Sequence, residues 1–303
     1  MNLVKFSKYE QFNKKMTYHL SGLGEKISCD LLYNGELYKL KTGKNYRYES
    51  LSEYIGSHIF EFLGVPAQQT ILGTYVYQGT EMLAVIYKNF AVENYFMSFD
   101  DVVGEIVKTF VNGEKLREGN IDEMDHWLAQ QLFVDKQALI NFFWKMCIIE
   151  RYIYIGNVDR SWENWGILLN ENKNNSIAPV FDCGACLYYY ELSHDNNFGI
   201  NFLDTLRKGN LVVFPKSPIF KLGKNNSRDF CEYLSTTDNE NCLKALKDIL
   251  NVIEQKESCI MDWIEKISVL SYWEKMFYIE VLRINKEQVL KQALAFNRNS
   301  RLL

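Results

Sequence analysis

The chain has 303 residues, 47% hydrophobic and 24% charged, with a formal net charge of −4. That length suits one large domain or two lobes around a sizeable core, and the acidic balance argues against a general nucleic-acid binder. Aromatics at 15% and only four prolines describe an ordered chain without long disordered arms.

The N-terminal stretch MNLVKFSKYEQFNKKM lacks an apolar core of signal-peptide length. The expected compartment is therefore the cytoplasm, although export without a cleaved signal would leave no mark. The stretch ISCDLLYNGELYKLK reads as two strands around Asn34-Gly35, a pair that tolerates the positive φ a tight hairpin needs. Period-2 alternation puts Tyr38 and Leu40 on one face, and Leu37, Lys39 and Lys41 on the other. In SLSEYIGSHIFEFLGVP, Leu51, Ile55, Ile59 and Phe62 recur at helical spacing. Ser50 and Glu53 have capping-box spacing there, and Gly64 with Pro66 supplies the stop. A second hairpin turns at Gln78-Gly79. The first 90 residues thus read β-β-α-β-β.

Helical periods dominate beyond that point. A helix is expected from about Asp135 to Tyr154. Its apolar stretch carries Lys145, Glu150 and Arg151, as a buried helix would rather than a membrane span. The polar loop GNVDRSWEN follows, then a hairpin of WGILLN and SIAPVF, and helices from Asn241 to the end. Seven cysteines at scattered spacings fit free thiols in a reducing compartment. His19, His58, His126 and His194 show no metal spacing.

The chemistry concentrates in GNVDRSWENWGILLN and APVFDCGACLYYY. Asp159 and Asn164 share a polar loop, and Asp182 follows the hairpin that leaves it, so three oxygen-bearing side chains can converge as a hard cation requires. Protein kinases combine such an Asp, Asn and second Asp with a lysine on the third strand. Lys41 is on the third strand if the N-terminal segment supplies the first, and Glu53 lies on the next helix. Each residue has a plainer reading: Asp159 as a turn cap, Lys41 as a solvated lysine like Lys39, Glu53 as a capping partner only. Cys183-Gly184-Ala185-Cys186 has thioredoxin spacing, but no βαβ unit surrounds it, and no second Cys or His pair completes a zinc site. The two thiols are expected to fill space beside Asp182.

The stretches EKISCDLLYNGELYKLK, SEYIGSHIFEFLGV, GNVDRSWENWGILL, IAPVFDCGACLY and the terminal AFNR resemble the HipA-like bacterial serine/threonine kinases, and among them the short forms without an extra N-terminal domain. Residues between about 91 and 135 match only loosely. The resemblance implies an α+β, two-lobed protein-kinase-like fold: a small β-rich N-lobe (1–90, a five-stranded type of sheet with one helix) and a larger helical C-lobe (91–303). It implies ATP and Mg2+ as cofactors, with Asp159 as catalytic base, Asn164 and Asp182 as metal ligands, and Lys41 on the ATP phosphates with Glu53 as its ion-pair partner. Ser21, Gly22, Gly24 and Lys26, in SGLGEK, would form the phosphate-covering loop, and Lys88-Asn89-Phe90 the hinge at the adenine. Ser21 matches the position where related kinases carry an inhibitory phosphoserine. A protein substrate is implied, and the toxins of this family have antitoxin partners; neither is identified by the residues, and no direct nucleic-acid or membrane contact is expected. Ser161 stands where the family usually has a phosphate-holding His. That departure keeps a second reading open, a degenerate kinase-fold binding module. A third reading, a small-molecule phosphotransferase, shares the Asp-to-Asn spacing.

Overall fold

Two hairpins build most of the first sheet. β3 (Glu25–Tyr33) and β4 (Glu36–Gly43) join at Asn34-Gly35, with φ of 51° and 82°. β5 (Thr70–Tyr77) and β6 (Thr80–Lys88) join at Gln78-Gly79, with φ of 49° and 78°. Two left-handed residues in succession twist the turn to match the paired strands. In this computed structural model, residues 3–18, 25–43, 46–102, 121, 124–130, 134–150, 154–157, 159–172, 174–188, 191–192, 196–208 and 228–300 are described. The N-terminal segment supplies two strands: β1 (Val4–Lys5), parallel to β5, and β2 (Gln11–Tyr18), antiparallel to β3. The order is β1-β5-β6-β4-β3-β2, one short strand more than the expected five.

Alternation along β4 follows the sequence pattern. Tyr38 and Leu40 are buried with Phe6, Ile27, Leu31, Ala84 and Ile86. The sheet curls around this cluster, so that the Tyr75 hydroxyl on β5 donates to Gln11 Oε1 on β2 at 3.0 Å. Leu72 and Val85 face the other way and join a larger core with Leu51, Ile55 and Ile59 of α1 (Arg47–Phe62). Gly64, at φ 72°, follows the helix as expected.

The capping box of Ser50 and Glu53 does not form. α1 starts a turn earlier, with Tyr46 at the N-cap and the Ser50 N–H already bonded to Tyr46 C=O at 2.9 Å. Tertiary contacts override the local signal. The Arg47 Nη2 donates to Val269 C=O at 2.7 Å and to both Glu274 carboxylate oxygens at 3.0 and 3.1 Å. Ser50 and Glu53 are thereby drawn inside the packed helix, 0% and 2% exposed.

β7 (Tyr95–Ser98), β8 (Gly166–Leu169) and β9 (Ser176–Ile177) form a second sheet in that order. The β8–β9 hairpin was expected; β7 is four residues long and falls where the family resemblance is weakest. α2 (Met124–Ala129) precedes α3 (Lys136–Glu150), whose first turn is capped by Asp135 Oδ1 accepting from the Ala138 N–H at 2.6 Å. Leu139, Phe143, Trp144, Ile148 and Ile149 of α3 are 0% exposed. Among the described residues, no helix is long and apolar enough to cross a membrane. α4 (Asn196–Arg207), α5 (Arg228–Thr236), α6 (Glu240–Glu265), α7 (Tyr272–Asn285) and α8 (Lys291–Ser300) follow, with a π turn between the last two. Asn297, in the terminal AFNR, donates to Thr237 C=O at 2.7 Å and pins α8 to the segment between α5 and α6.

Helix α1 is the bridge between sheet and helices. It underlies Leu72 and Val85, and its His58 ring stacks on Trp263 of α6 with centroids 4.9 Å apart. With Arg47 anchored at α7, both ends of α1 are tied to the helical region.

Candidate active site

The strand pleat that buries Leu40 turns Lys41 to the opposite face, into a cleft of about 380 Å3 lined also by Tyr87, Phe90, Phe96, Phe181 and Asp182. The Lys41 ammonium lies 3.1 Å from Asp182 Oδ1 and 4.9 Å from the Tyr87 ring centroid. At 17% side-chain exposure it is no solvated lysine, unlike Lys39, which is exposed. Burial alone would lower the Lys41 pKa; Tyr87, Asp182 and Glu53 outweigh that and hold it well above its ordinary value. Burial alone would raise the Asp182 carboxyl, but Lys41, supported by Arg160 and Lys26, holds it below the usual range.

Asp182 has φ 59°, a left-handed conformation that Asp tolerates better than most residues. Behind it the chain turns tightly, with the Cys186 N–H on Cys183 C=O at 3.1 Å. This turn packs on α1 at Gly56 and Ser52; the Ser52 hydroxyl donates to Cys186 C=O at 2.9 Å. Cys183 and Cys186 are free and 0% exposed. The hydrogen bond with Cys186 works to lower the Cys183 thiol, but burial and Glu150 carry it up, and burial pushes Cys186 well above its usual value. Neutral, inaccessible thiols are space fillers rather than nucleophiles.

Glu53 sits beside this group without a direct ion pair to Lys41, whose contact is with Asp182. The Glu53 Oε2 is buried without a hydrogen-bond partner. Burial pushes its pKa up, against the opposing Lys41 charge.

Asp159 and Asn164 share one loop, of which Glu163 lines the cleft. No hydrogen bond from a described residue reaches the Asp159 carboxylate, which is exposed, so it does not cap a turn. Partial desolvation, then the Asp182 charge, raise its pKa, partly offset by Arg160 and Lys26. The Asn164 Nδ2 donates to Asp159 C=O at 3.2 Å, which leaves the amide oxygen as the acceptor atom of that side chain. Ser161, in the same loop, makes no side-chain cap to the short 3-10 turn Trp162–Asn164.

Of the expected phosphate-loop residues, Ser21, Gly22 and Gly24 lie outside the described residues. Lys26 is on β3, its ammonium 5.1 Å from the Tyr46 ring centroid, and its pKa is lowered by burial and by Lys41. Phe90 lines the cleft in a ring cluster with Phe96 and Phe181, at 5.9 and 5.4 Å. The Lys88 side chain does not line it. Alternation after the inward Tyr87 sends Lys88 to the other face, where it pairs with Glu36 at 2.5 Å. Its backbone is occupied as well: the N–H bonds Gln69 C=O at 2.9 Å, and the C=O accepts from Gln68 Nε2 at 2.8 Å. Asn89, Phe90 and Ala91 line the cleft instead, with the Asn89 N–H on Leu37 C=O and the Ala91 N–H on Asn89 Oδ1, both at 2.9 Å.

Sequence reasoning missed the group that holds the loop. Arg160 and Glu150 are 3% and 1% exposed. The Arg160 Nε donates to Glu150 Oε2 at 2.5 Å and its Nη2 to Glu150 Oε1. Its Nη1 donates to Asn164 C=O at 2.5 Å and to Phe181 C=O at 2.6 Å. The signal was Glu150 itself, since a carboxylate inside an apolar helix requires a buried partner. Gln68, Tyr87, Phe96 and Phe181 were missed too, because nothing local marks them.

The donor set can be tested against Mg2+. Among the described residues, no three His, Cys, Asp or Glu side chains are placed to hold a metal, so there is no all-protein cage. One carboxylate, Asp182, with the amide of Asn164, whose backbone is tied to residue 181 through Arg160, is the sparse oxygen set Mg2+ accepts when phosphates complete its shell. The residues fit.

No protein-family model matches the chain. A curated relative, the serine/threonine-protein kinase CtkA of Helicobacter pylori strain J99, is 31% identical over 283 residues, covering 89% of this chain and 82% of its own length. The crystal structure of a Helicobacter pylori proinflammatory kinase CtkA matches with a TM-score of 0.77 and 28% identity, over 98% of this chain and 99% of that one. A chain of the Shewanella oneidensis complex of HipA, HipB and operator DNA matches in fold, with a TM-score of 0.50 and 15% identity over 96% of this chain and 68% of that one. The chain belongs to the family of the serine/threonine-protein kinase CtkA and has a two-lobed α+β kinase-like fold.

Proposed function

We propose that this kinase uses Mg2+-ATP and transfers its γ-phosphoryl group to a serine or threonine of a protein, in the crease between a small lobe (1–90) and a helical lobe (91–303). The observation that carries the reading is the Lys41–Asp182 ion pair in a cleft that Glu163, from the loop of Asp159 and Asn164, also lines, with Arg160 joining that loop to Phe181. Lys41 would bind the phosphates, with a charge kept positive by its neighbours. The Phe90, Phe96 and Phe181 rings would receive the adenine, with Asn89 to Ala91 at its edge. Asp159, open and raised in pKa, would take the proton of the attacking hydroxyl. Asn164 and Asp182 would hold Mg2+, which would supply neutralisation of phosphate charge. Positioning and electrostatics then account for the catalysis.

The test is Asp159→Asn, which should abolish radiolabel transfer while leaving ATP affinity largely intact. Transfer above a tenth of the wild-type rate, roughly the low end of general-base effects, would overturn the base assignment. If the wild type itself transfers no label to any protein, the chain is a kinase-fold binding module.

Autophosphorylation of Ser21 belongs to the same proposal. A phosphoserine would add about −1.5 to −2 charge to the loop that the family resemblance assigns to the ATP phosphates, and should lower ATP affinity. Phosphopeptide mapping and the affinity of Ser21→Asp test it. An antitoxin partner and a toxin role rest on the family resemblance, and pull-down of a co-encoded protein tests them. A cytoplasmic location is supported by the free cysteines.

A further inference from the structure

We propose that Arg160, held by Glu150, is a positioning residue that sets the spacing of the two candidate metal ligands; this rests on the reading of Asn164 and Asp182 as Mg2+ ligands. Neither Arg160 nor Glu150 touches the cleft, yet the guanidinium joins both ligand segments. One nitrogen, Nη1, bonds the carbonyl of Asn164 itself at 2.5 Å and that of Phe181, the residue before Asp182, at 2.6 Å. The other edge of the fork lies on the Glu150 carboxylate through Nε and Nη2, and the last N–H meets Cys183 Sγ at 4.0 Å. All five donors of the guanidinium are engaged. Glu150 is fixed in turn, since the Asn157 Nδ2 donates to its Oε1 at 3.3 Å and Cys183 Sγ lies 3.8 Å from the same oxygen. Asn157 Oδ1 then accepts the Asp159 N–H at 3.1 Å. A rigid planar group therefore ties together two segments separated by the β8–β9 hairpin.

The chemistry needs such a tie. Mg2+ demands near-ideal octahedral geometry at about 2.0–2.1 Å, so a ligand pair that drifts by a few tenths of an ångström loses it. A lysine at this position has one nitrogen and no planar fork, and cannot hold both carbonyls and the carboxylate together.

The experiment is calorimetry of a non-hydrolysable ATP analogue binding to the full chain, in Mg2+ and in EDTA, for wild type and Arg160→Lys. The variant should bind within about twofold of wild type in EDTA, while the gain in affinity from Mg2+ falls about tenfold, the low end of outer-shell effects on metal affinity. The proposal is overturned if Arg160→Lys keeps the full Mg2+ gain. It is equally overturned if affinity falls by the same factor with and without metal, which a merely structural role would produce. Should Arg160→Lys fail to fold by circular dichroism, Glu150→Gln, which keeps size and one acceptor, carries the same expectation. A wild type showing no Mg2+ gain refutes the ligand reading itself, and the proposal with it.

Discussion

Replacing Gly56 by alanine tests whether contact between α1 and the Asp182 turn is required for activity. A Cβ at residue 56 would lie 2.8 Å from Cys183 Cβ, 3.3 Å from Cys186 Sγ and 3.6 Å from Cys183 Sγ. Carbon pairs settle at about 3.5–4.0 Å, so roughly 0.7 Å must be found. Cys183 Cβ cannot rotate away, because the backbone sets its position and Ser52 and Cys186 pin the turn. The helix or the turn must move as a body. Alanine gains up to about 1 kcal/mol in helix propensity, and overpacking costs about 1–3 kcal/mol. The net expectation is a loss of about 1 kcal/mol. Activity should suffer more, since α1 carries Glu53 and the turn adjoins Asp182, and a misplacement of about 1 Å can cost on the order of a hundredfold in rate. Urea unfolding and radiolabel transfer measure the two effects. A Gly56→Ala protein as stable as wild type, with at least half its activity, would refute the reasoning.

Asp182→Ala should weaken Mg2+-ATP binding, because a hard-cation ligand and the Lys41 counter-charge go together; calorimetry with unchanged affinity would remove Asp182 from the site. Changing both Cys183 and Cys186 to Ser should leave phosphoryl transfer active and insensitive to redox buffers, since the thiols are free and buried; a folded, inactive double variant would show a role for them. The acid limb of kcat/KM should lie above the ordinary Asp range near about 3.9, because burial and Asp182 raise the Asp159 pKa. A base must be deprotonated, so activity is present above that pKa and falls as pH drops through it; a limb at or below the ordinary range would count against Asp159 as the base.

Local chemistry alone made much of this protein legible. Asn34-Gly35 and Gln78-Gly79 specify their turns because few other pairs accept two positive φ values. Period 2 along β4 separated Lys41 from Leu40, and helical spacing placed Leu51, Ile55 and Ile59 on one face of α1. The residue types around Asp159, Asn164 and Asp182 pointed to an oxygen-ligand site, and the family resemblance supplied the roles proposed for them. What needed the fold were contacts between segments far apart in the chain. The Ser50–Glu53 signal failed because Arg47 is anchored at residues 269 and 274, and that attraction extends α1 past its local start. Lys41 meets Asp182 rather than Glu53 because the turn at residues 182–186 packs directly on α1 at Gly56. The Arg160–Glu150 clamp was invisible for a related reason. A buried charge in a sequence announces that it needs a partner, but only packing in three dimensions determines which partner lies within reach.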